Sequence, residues 1–206
     1  MRHLKIKILI VLTMICTNVF GQIDDENEII SASIKSYFKT SPNDTVYTRK
    51  GKIKQIMIHR RPEILLVTET YPMILDPEDD SSFSFKELKL SAPSIDSLTY
   101  LDFIDKNKTS IQIDSIFGFQ GTISYTSRQE IDNIFEHGSW ENYRKVYGYN
   151  KFLVEVSRPG FNRDMSKAFI YFRNSIDGLA GFGYYFILEK IDGKWIVKET
   201  IMLWRS

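Results

Sequence analysis

The chain has 206 residues, and its 27 lysines and arginines nearly balance its 26 aspartates and glutamates. The charge is nearly neutral and the sequence has no stripe of basic residues, which argues against a nucleic-acid partner. Aromatic residues make up 14% of the chain, and glycines and prolines are few. Such a composition excludes a disordered chain and favours a sheet-rich globular protein.

The first residues have the pattern of an export signal. Basic residues precede an apolar run at 8–15, and small residues suit signal-peptidase cleavage after Gly21. A retained membrane anchor is the alternative, although the run is shorter than the roughly 20 residues that span a bilayer. Lipidation of Cys16 is disfavoured, because bacterial lipoprotein signals have a small residue just before the cysteine and Ile15 stands there. We therefore expect a signal peptide, 1–21, and no membrane span after cleavage.

Cleavage leaves one globular domain, 22–206, in the periplasm or outside the cell. It removes the only cysteine, so the mature chain has no disulfide, thiol nucleophile or cysteine metal ligand. It also removes three basic residues and leaves a small excess of acidic ones. No repeat, low-complexity tract or linker divides this domain.

The N-terminal half of the domain mixes helices and strands. Acidic residues at 24–26 suit a helix start, and an apolar stripe follows, so we predict a helix over 24–39. Strand-like runs come next at 52–59 and 63–70, and then an acidic loop at 75–82. A helix that Ser94 caps and that runs to Ile104 is predicted, because Ile95, Leu98, Leu101 and Ile104 recur every three residues.

Two further helices are predicted before the C-terminal strands. In the stretch 110–125 apolar and polar residues alternate imperfectly, which predicts one or two strands. The sequence SRQE at Ser127–Glu130 fits a capping box, in which the serine hydroxyl and the glutamate each bond a free amide at a helix start. A short helix at 140–147 places Trp140, Tyr143 and Tyr147 together. From Phe152 onward the pattern is that of strands.

Asp192-Gly193 is a strong signal for a two-residue hairpin turn. If Ile191 pairs with Lys194, one face of the hairpin carries Phe182, Tyr184, Phe186 and Leu188 and is almost wholly apolar, so it is the expected core side. The other face carries Gly181, Gly183 and Tyr185. In this register Gly181 faces Trp204 and Gly183 faces Met202, as when an aromatic ring covers a cross-strand glycine.

A phosphate-binding loop is the alternative explanation of these glycines. Such a loop needs glycines between a strand and a helix N-terminus, whereas a strand follows here. A further strand at 167–173 precedes the hairpin, which makes a three-stranded meander. We therefore expect an α+β fold with helices packed on a curved, predominantly antiparallel sheet that ends in this meander.

The mature chain has two histidines, His59 and His137. A zinc site usually takes three protein ligands, and no paired-histidine spacing is present, so no metal is expected, although both histidines with a carboxylate would suffice. His137 precedes Gly138 near a predicted helix end, where the helix dipole favours a histidine. A catalytic His137 beside a carboxylate is the alternative to that structural role.

Other familiar chemistries lack support in the sequence. Neither a G-x-S-x-G elbow nor an S-x-x-K motif is present for a serine nucleophile. The run DPEDD at 76–80 lacks EF-hand spacing and predicts a solvated loop rather than a calcium site. A pair of carboxylates for glycoside hydrolysis is not excluded, because the distance between the two groups is set by the fold and not by their spacing along the chain. No cofactor is expected.

Two arginines flank a turn within VSRPGFNRD. Arg158 precedes Pro159-Gly160, and Arg163 follows Phe161. They suit a bidentate clamp on an anionic group, or else a surface turn with solvated charges.

The C-terminal pattern GFGYY at 181–185, GKW at 193–195 and Trp204 resembles the ending of uncharacterised small exported proteins of Gram-negative bacteria. The hairpin also resembles the last strands of nuclear-transport-factor-2-like domains, which are cones of helices on a bent antiparallel sheet. That resemblance implies ligand binding or, in some members, a catalytic carboxylate or histidine. It covers about the last 55 residues, whereas 40–125 departs from the cone pattern.

Two functions are compatible with the sequence. The first is an exported, non-catalytic binding module for an unidentified small molecule or protein, with Tyr185, Met202 and Trp204 on the binding face and Arg158 and Arg163 nearby. The second is a cone-type hydrolase- or isomerase-like enzyme that uses His137 with a carboxylate. The first is favoured, because no motif for catalysis is present.

Overall fold

The computed structural model describes residues 24–39, 62–72, 85–136 and 138–206. Several predictions fall outside these ranges: the signal peptide, the strand at 52–59 and the loop at 75–82. His59 and His137 lie outside them as well. In chain order the elements are α1 (24–39), β1 (Glu63–Val67), α2 (Phe85–Ser91), α3 (Ser97–Lys106), β2 (Thr122–Thr126), α4 (Arg128–Glu136), α5 (Trp140–Tyr147), β3 (Lys151–Val156), β4 (Gly160–Phe161), β5 (Lys167–Asp177), β6 (Ala180–Ile191) and β7 (Lys194–Arg205).

The strands form one seven-stranded mixed sheet in the order β2-β1-β3-β5-β6-β7, with β4 paired to β5. Strand β1 is parallel to both β2 and β3, and the other pairings are antiparallel. Parallel strands need long crossovers. Helices α2 and α3 lie in the connection from β1 to β2, and helices α4 and α5 lie in the connection from β2 to β3 on the other side of β1. The predicted α+β class with a predominantly antiparallel sheet is confirmed. The parallel strands were not predicted.

Helix α1 covers one face of the sheet. Its predicted apolar stripe is confirmed, because Ile30 and Ile34 are fully buried against β3, β5 and β6, and Tyr37 and Phe38 pack beside them. Its first turn is fixed by Asp25, whose Oδ1 atom accepts a hydrogen bond from Trp195 Nε1 at 2.9 Å. The predicted core residues Phe186 and Leu188 of β6 lie under this helix.

Helices α2 and α3 cover part of the opposite face, around Phe169 and Tyr185. The prediction for α3 is wrong in two respects. Its N-cap is Asp96, whose Oδ1 atom accepts from Thr99 N at 2.8 Å, rather than Ser94. Its predicted stripe is not its buried side, because Leu101 is 59% exposed while Phe103 is fully buried. Apolar residues at every third position do not stay on one side of a helix with 3.6 residues per turn, so the predicted stripe leaves the side that packs on the sheet.

Helices α4 and α5 cover the remaining part of that face, over Leu65, Val67 and Leu153. The predicted capping box is confirmed: Glu130 N donates to Ser127 Oγ at 3.2 Å, and Ser127 N donates to Glu130 Oε2 at 3.0 Å. In α5 the predicted ring cluster is confirmed as well, with Tyr143 between Trp140 and Tyr147.

The stretch before α4 contains less strand than predicted. Within 110–125 the only strand is the beginning of β2, and an isolated bridge joins Gln112 to Glu69. Strand β2 is the edge strand beside β1 and has only five residues, so only a short part of 110–126 can alternate between the two faces of the sheet.

The hairpin turn at Asp192-Gly193 is confirmed, with φ of 50° at Asp192 and 75° at Gly193. The predicted register holds from Ile191 opposite Lys194 to Leu188 opposite Val197. Irregularities in the pairing then shift β7, after Leu188 and again after Tyr184. Bulges insert an extra residue into one strand, and each one displaces every pair beyond it.

The shift corrects the predicted pairing of the glycines. Trp204 lies opposite Gly183 rather than Gly181, and Met202 lies opposite Tyr184 on the face that α1 covers. The face with Gly183 and Tyr185 was expected to be open, but α2 and α3 cover it at Tyr185. The strands β5 and β6 are therefore packed against helices on both faces.

Candidate functional site

The residues predicted to form the binding face do not lie together. Tyr185 is 3% exposed and packs on Phe169, and burial raises the pKa of its phenol. Met202 is 57% exposed on the opposite face of the sheet. Trp204 is 36% exposed and shares a sheet face with Tyr185. Of the two predicted residues on the glycine face, Trp204 is therefore the one that is accessible to solvent.

The two predicted arginines have different surroundings. Arg158 Nε and Nη2 donate to the two carboxylate oxygens of Glu26 at 3.2 and 3.0 Å. Glu26 is buried at the start of α1, so this pair ties α1 to the loop after β3. Arg163 is exposed and lines an open depression of about 490 Å³ beside Leu98 and Asp102. The side chain of His137 lies outside the described residues.

Six polar and aromatic side chains form a contiguous group across the sheet, between the areas that the two helix pairs cover. We call this group the Arg–Tyr strip. Its members are Tyr71, Arg128, Glu155, Tyr171, Arg173 and Trp204. The first two follow the carboxyl ends of β1 and β2, the edge at which ligands of open α/β sheets usually bind.

Glu155 lies at the centre of the strip and is 4% exposed. One carboxylate oxygen accepts from Arg128 Nη1 and the other accepts from Arg173 Nε at 2.6 Å. Burial works against the charged form of Arg173, but the hydrogen bond to Glu155 and the charge of that carboxylate outweigh it and raise the arginine pKa. The three groups therefore form an Arg–Glu–Arg triad whose carboxylate has both oxygens engaged.

Tyr71 lies against both arginines. Its ring centroid is 4.2 Å from Cζ of Arg173 and 5.2 Å from Cζ of Arg128, distances at which the ring face attracts a cation. Its backbone amide donates to Val156 O at 2.7 Å and fixes the residue at the end of β3. The ring is half-buried, so it forms part of the accessible edge of the strip.

Trp204 forms the other end of the strip. Its Nε1 atom donates to Tyr171 Oη at 3.0 Å, and its ring covers both glycines of β6. A Cβ atom at Gly183 would overlap the indole, whereas one at Gly181 would lie 3.2 Å from Cζ3. Burial raises the pKa of Tyr171, although the bond from Trp204 and the charge of Arg173 oppose this.

We expect Gly183→Ala to lower the free energy of unfolding by about 1–3 kcal/mol, because the new methyl group displaces Trp204. The backbone of Gly183 is not in the left-handed region, so lack of space alone decides the effect. Urea denaturation measures it. Gly181→Ala is the matched control and should cost less, since its closest contacts are 3.0 to 3.2 Å. Equal stability of both variants and the wild type would contradict this packing.

The N-terminus of α4 already binds a carboxylate of the chain itself. Glu69 Oε2 accepts from Arg128 N at 2.8 Å, and Glu69 also accepts from Thr68 Oγ1 and Gln112 Nε2. Burial disfavours ionisation of Glu69, but these hydrogen bonds outweigh it and lower the pKa of the carboxyl group. The anion-binding amides of this helix are therefore in use within the fold.

Arg128 has hydrogen-bond donors that the fold does not satisfy. Its Nε and Nη2 atoms are shielded from solvent and have no hydrogen-bond partner among the described residues. Such donors are uncommon, because leaving a buried cationic donor unpaired is destabilising. An unfilled pair of donors in a cluster of arginines and rings is suited to an anionic ligand.

The strip was not found from the sequence, although part of its signal is present there. Glu155 and Arg173 are single charges within the apolar strands FLVEV and AFIYFR, which is typical of charges that pair on a sheet face. Arg128 was recognised only as a residue of the capping box. Tyr71 carries no signal in the sequence, because it reaches the arginines through tertiary contacts.

In the part of the chain that the structure describes, no group of three or more histidine, cysteine, aspartate or glutamate residues could hold a metal ion. No helix within the same residues is both long enough and apolar enough to cross a membrane. Comparison of the chain with protein-family models, with curated proteins and with solved structures gives no match.

Proposed function

We propose that the protein is an exported, non-catalytic binding module and that the Arg–Tyr strip is the site at which it binds a small molecule. The observation that carries this proposal is that Arg128 Nε and Nη2 are shielded and find no hydrogen-bond partner in the part of the chain that the structure describes. Export is supported by the leader-like pattern at 1–21. Of the residues predicted from the sequence to bind the ligand, the proposal places Trp204 in the site.

The chemistry of the strip favours binding over catalysis. A general base needs a free oxygen or nitrogen to accept a proton. Both oxygens of Glu155 are engaged by arginines, and Glu69 is held ionised by its hydrogen bonds. Arginines and rings instead provide charge, hydrogen-bond donors and flat apolar surface, which hold a ligand without reacting with it.

We infer as well that the sheet is curved around the strip and ends in a three-stranded meander, β5–β7. The support is the set of pairing irregularities beside the start of β6 and within it, since bulges bend strands, and the glycines under Trp204. Curvature of this kind would keep the strip open between the two helix pairs.

A thermal-shift screen of the mature chain tests the proposed function. The library contains small aromatic and aliphatic molecules that are anionic, neutral or cationic. A compound present at about 100 times its Kd stabilises the folded state by about 2.7 kcal/mol, which raises the Tm of a domain of this size by about 5–10 °C. We expect anionic compounds among those that stabilise.

Variants then place the binding site. Arg128→Gln and Trp204→Leu should abolish the shift, whereas the control Arg144→Gln, on α5 and paired with Asp177, should retain it. No stabilising compound in the screen, or shifts that persist in both strip variants, would refute the proposed site.

A further inference from the structure

Arg158 shows that the Nε–Nη2 edge of a guanidinium binds a carboxylate in this protein. Its Nε and Nη2 atoms, whose N–H bonds point the same way, donate to the two oxygens of Glu26 at 3.2 and 3.0 Å. This bidentate arrangement matches the flat fork of arginine to a flat carboxylate. The Glu26 side chain is buried, so the pair forms away from bulk water.

Arg128 offers the same edge without a partner. Its Nη1 atom binds Glu155, while Nε and Nη2 are shielded and have no hydrogen-bond partner among the described residues. These are the two atoms through which Arg158 binds its carboxylate. We propose, on the basis of the binding function above, that this edge of Arg128 is the receptor for the carboxylate of a small aromatic acid.

The charges around Arg128 limit the ligand to a single negative charge. Two arginines, Arg128 and Arg173, face two carboxylates, Glu155 and Glu69. The four charges cancel, so a monoanion leaves the site with one excess charge and a dianion leaves it with two. In a poorly hydrated site the second uncompensated charge is unfavourable. A flat monoanionic carboxylate therefore fits better than a dianionic phosphate.

Tyr71 accounts for the aromatic part of the ligand. Its half-buried ring lies over the guanidinium of Arg128 and closer still to that of Arg173. Both free nitrogen atoms are shielded, so a ligand has to displace a neighbouring group as it enters, and in this proposal that group is the half-buried ring of Tyr71. A planar group attached to the carboxylate then stacks against the displaced ring, in the offset or edge geometry that aromatic pairs prefer.

Calorimetric titration with three probes tests this inference on the mature chain. Benzoate is the flat monoanion, benzamide has the same shape without charge, and phenyl phosphate is the tetrahedral dianion. We expect benzoate to bind about 10-fold or more tightly than either of the other two. Benzamide lacks the charge that strengthens both hydrogen bonds, and phenyl phosphate leaves a second uncompensated charge in the site. This comparison needs no variant, so it stands even if a substitution at Arg128 impairs folding.

Arg128→Lys separates recognition by the fork from attraction by charge. Lysine keeps the positive charge but lacks the two parallel donors. We expect this variant to bind benzoate at least about 10-fold more weakly, whereas the control Arg144→Lys on α5 binds it as the wild type does. Urea denaturation establishes that each variant is folded.

The outcomes distinguish this inference from the binding function on which it rests. Equal benzoate affinity in Arg128→Lys and the wild type would overturn recognition by the edge. Binding of phenyl phosphate or benzamide as tight as that of benzoate would overturn the ligand class. Either result, or a non-carboxylate ligand that depends on Arg128 and Trp204 in the screen, leaves the strip as a binding site. Both this inference and the binding function would be refuted only if the screen found no ligand whose binding depends on the strip.

Discussion

Replacing Glu155 with glutamine is expected to lower the free energy of unfolding by about 3–5 kcal/mol, the cost of removing one partner from a buried ion pair. Glu155 is almost fully buried, and each of its oxygens accepts a hydrogen bond from an arginine. Glutamine keeps the shape of the side chain but removes the negative charge and one acceptor oxygen. Arg128 and Arg173 would then lie side by side without a counter-charge between them.

Urea denaturation at neutral pH measures this loss, and Glu141→Gln is the control. Glu141 pairs with Lys145 on the exposed side of α5, where both side chains are largely in solvent. Exposed pairs of this kind contribute about 0.3–0.5 kcal/mol, so the control should be nearly as stable as the wild type. If Glu155→Gln matched that control, the triad could not be a buried unit and the strip would be an ordinary surface.

Replacing Phe103 with alanine is expected to cost about 3–5 kcal/mol, as for other large aromatic side chains removed from a core. Phe103 is fully buried on α3, and its ring lies 4.7 Å from that of Phe169 and 6.0 Å from that of Tyr185. The substitution leaves a cavity between α3 and the sheet and also loosens the ring of Tyr185.

Leu101→Ala on the same helix is the matched control. Leu101 points away from the sheet and is mostly exposed, so its truncation should change stability by about 0.5 kcal/mol or less. Chemical denaturation of both variants compares the two sides of α3 directly. A larger loss for Leu101→Ala than for Phe103→Ala would mean that the helix packs through the stripe predicted from its sequence.

Local rules of the sequence were sufficient for several elements. The stripe of Ile30 and Ile34, the capping box at Ser127 and the turn at Asp192-Gly193 each depend on residues close together in the chain. Each was predicted and confirmed, because the deciding apolar spacing, capping hydrogen bond or φ angle involves only a few neighbouring residues.

Features that depend on distant parts of the chain were missed. The register of β7 follows the prediction for four pairs and then departs at a bulge, whose position is set by packing across the sheet. One apolar face was taken as the whole core, because the sequence of a hairpin does not show that helices cover its second face. Tyr185 is buried there by α3, which precedes it by about 80 residues.

The candidate site was missed for the same reason. Tyr71, Arg128 and Arg173 are far apart in the chain. They come together because β2 and β3 flank β1 in parallel and because β5, which carries Arg173, pairs with β3. The sequence gives the charges of Glu155 and Arg173 within apolar strands, but it does not give their partners. Trp204 was predicted to lie over a glycine and does, although the bulge places it opposite Gly183.

Arginine side-chain NMR during a titration with benzoate tests the central claim most directly. The spectrum resolves the Nε–H group of each arginine, so Arg128 and Arg158 report separately. Arg128 Nε has no hydrogen-bond partner among the described residues, so we expect its Nε–H signal to move downfield as benzoate is added. The Nε–H signal of Arg158, which is already bound to Glu26, should stay in place. A titration in which benzoate binds and the Arg128 signal does not move would contradict it.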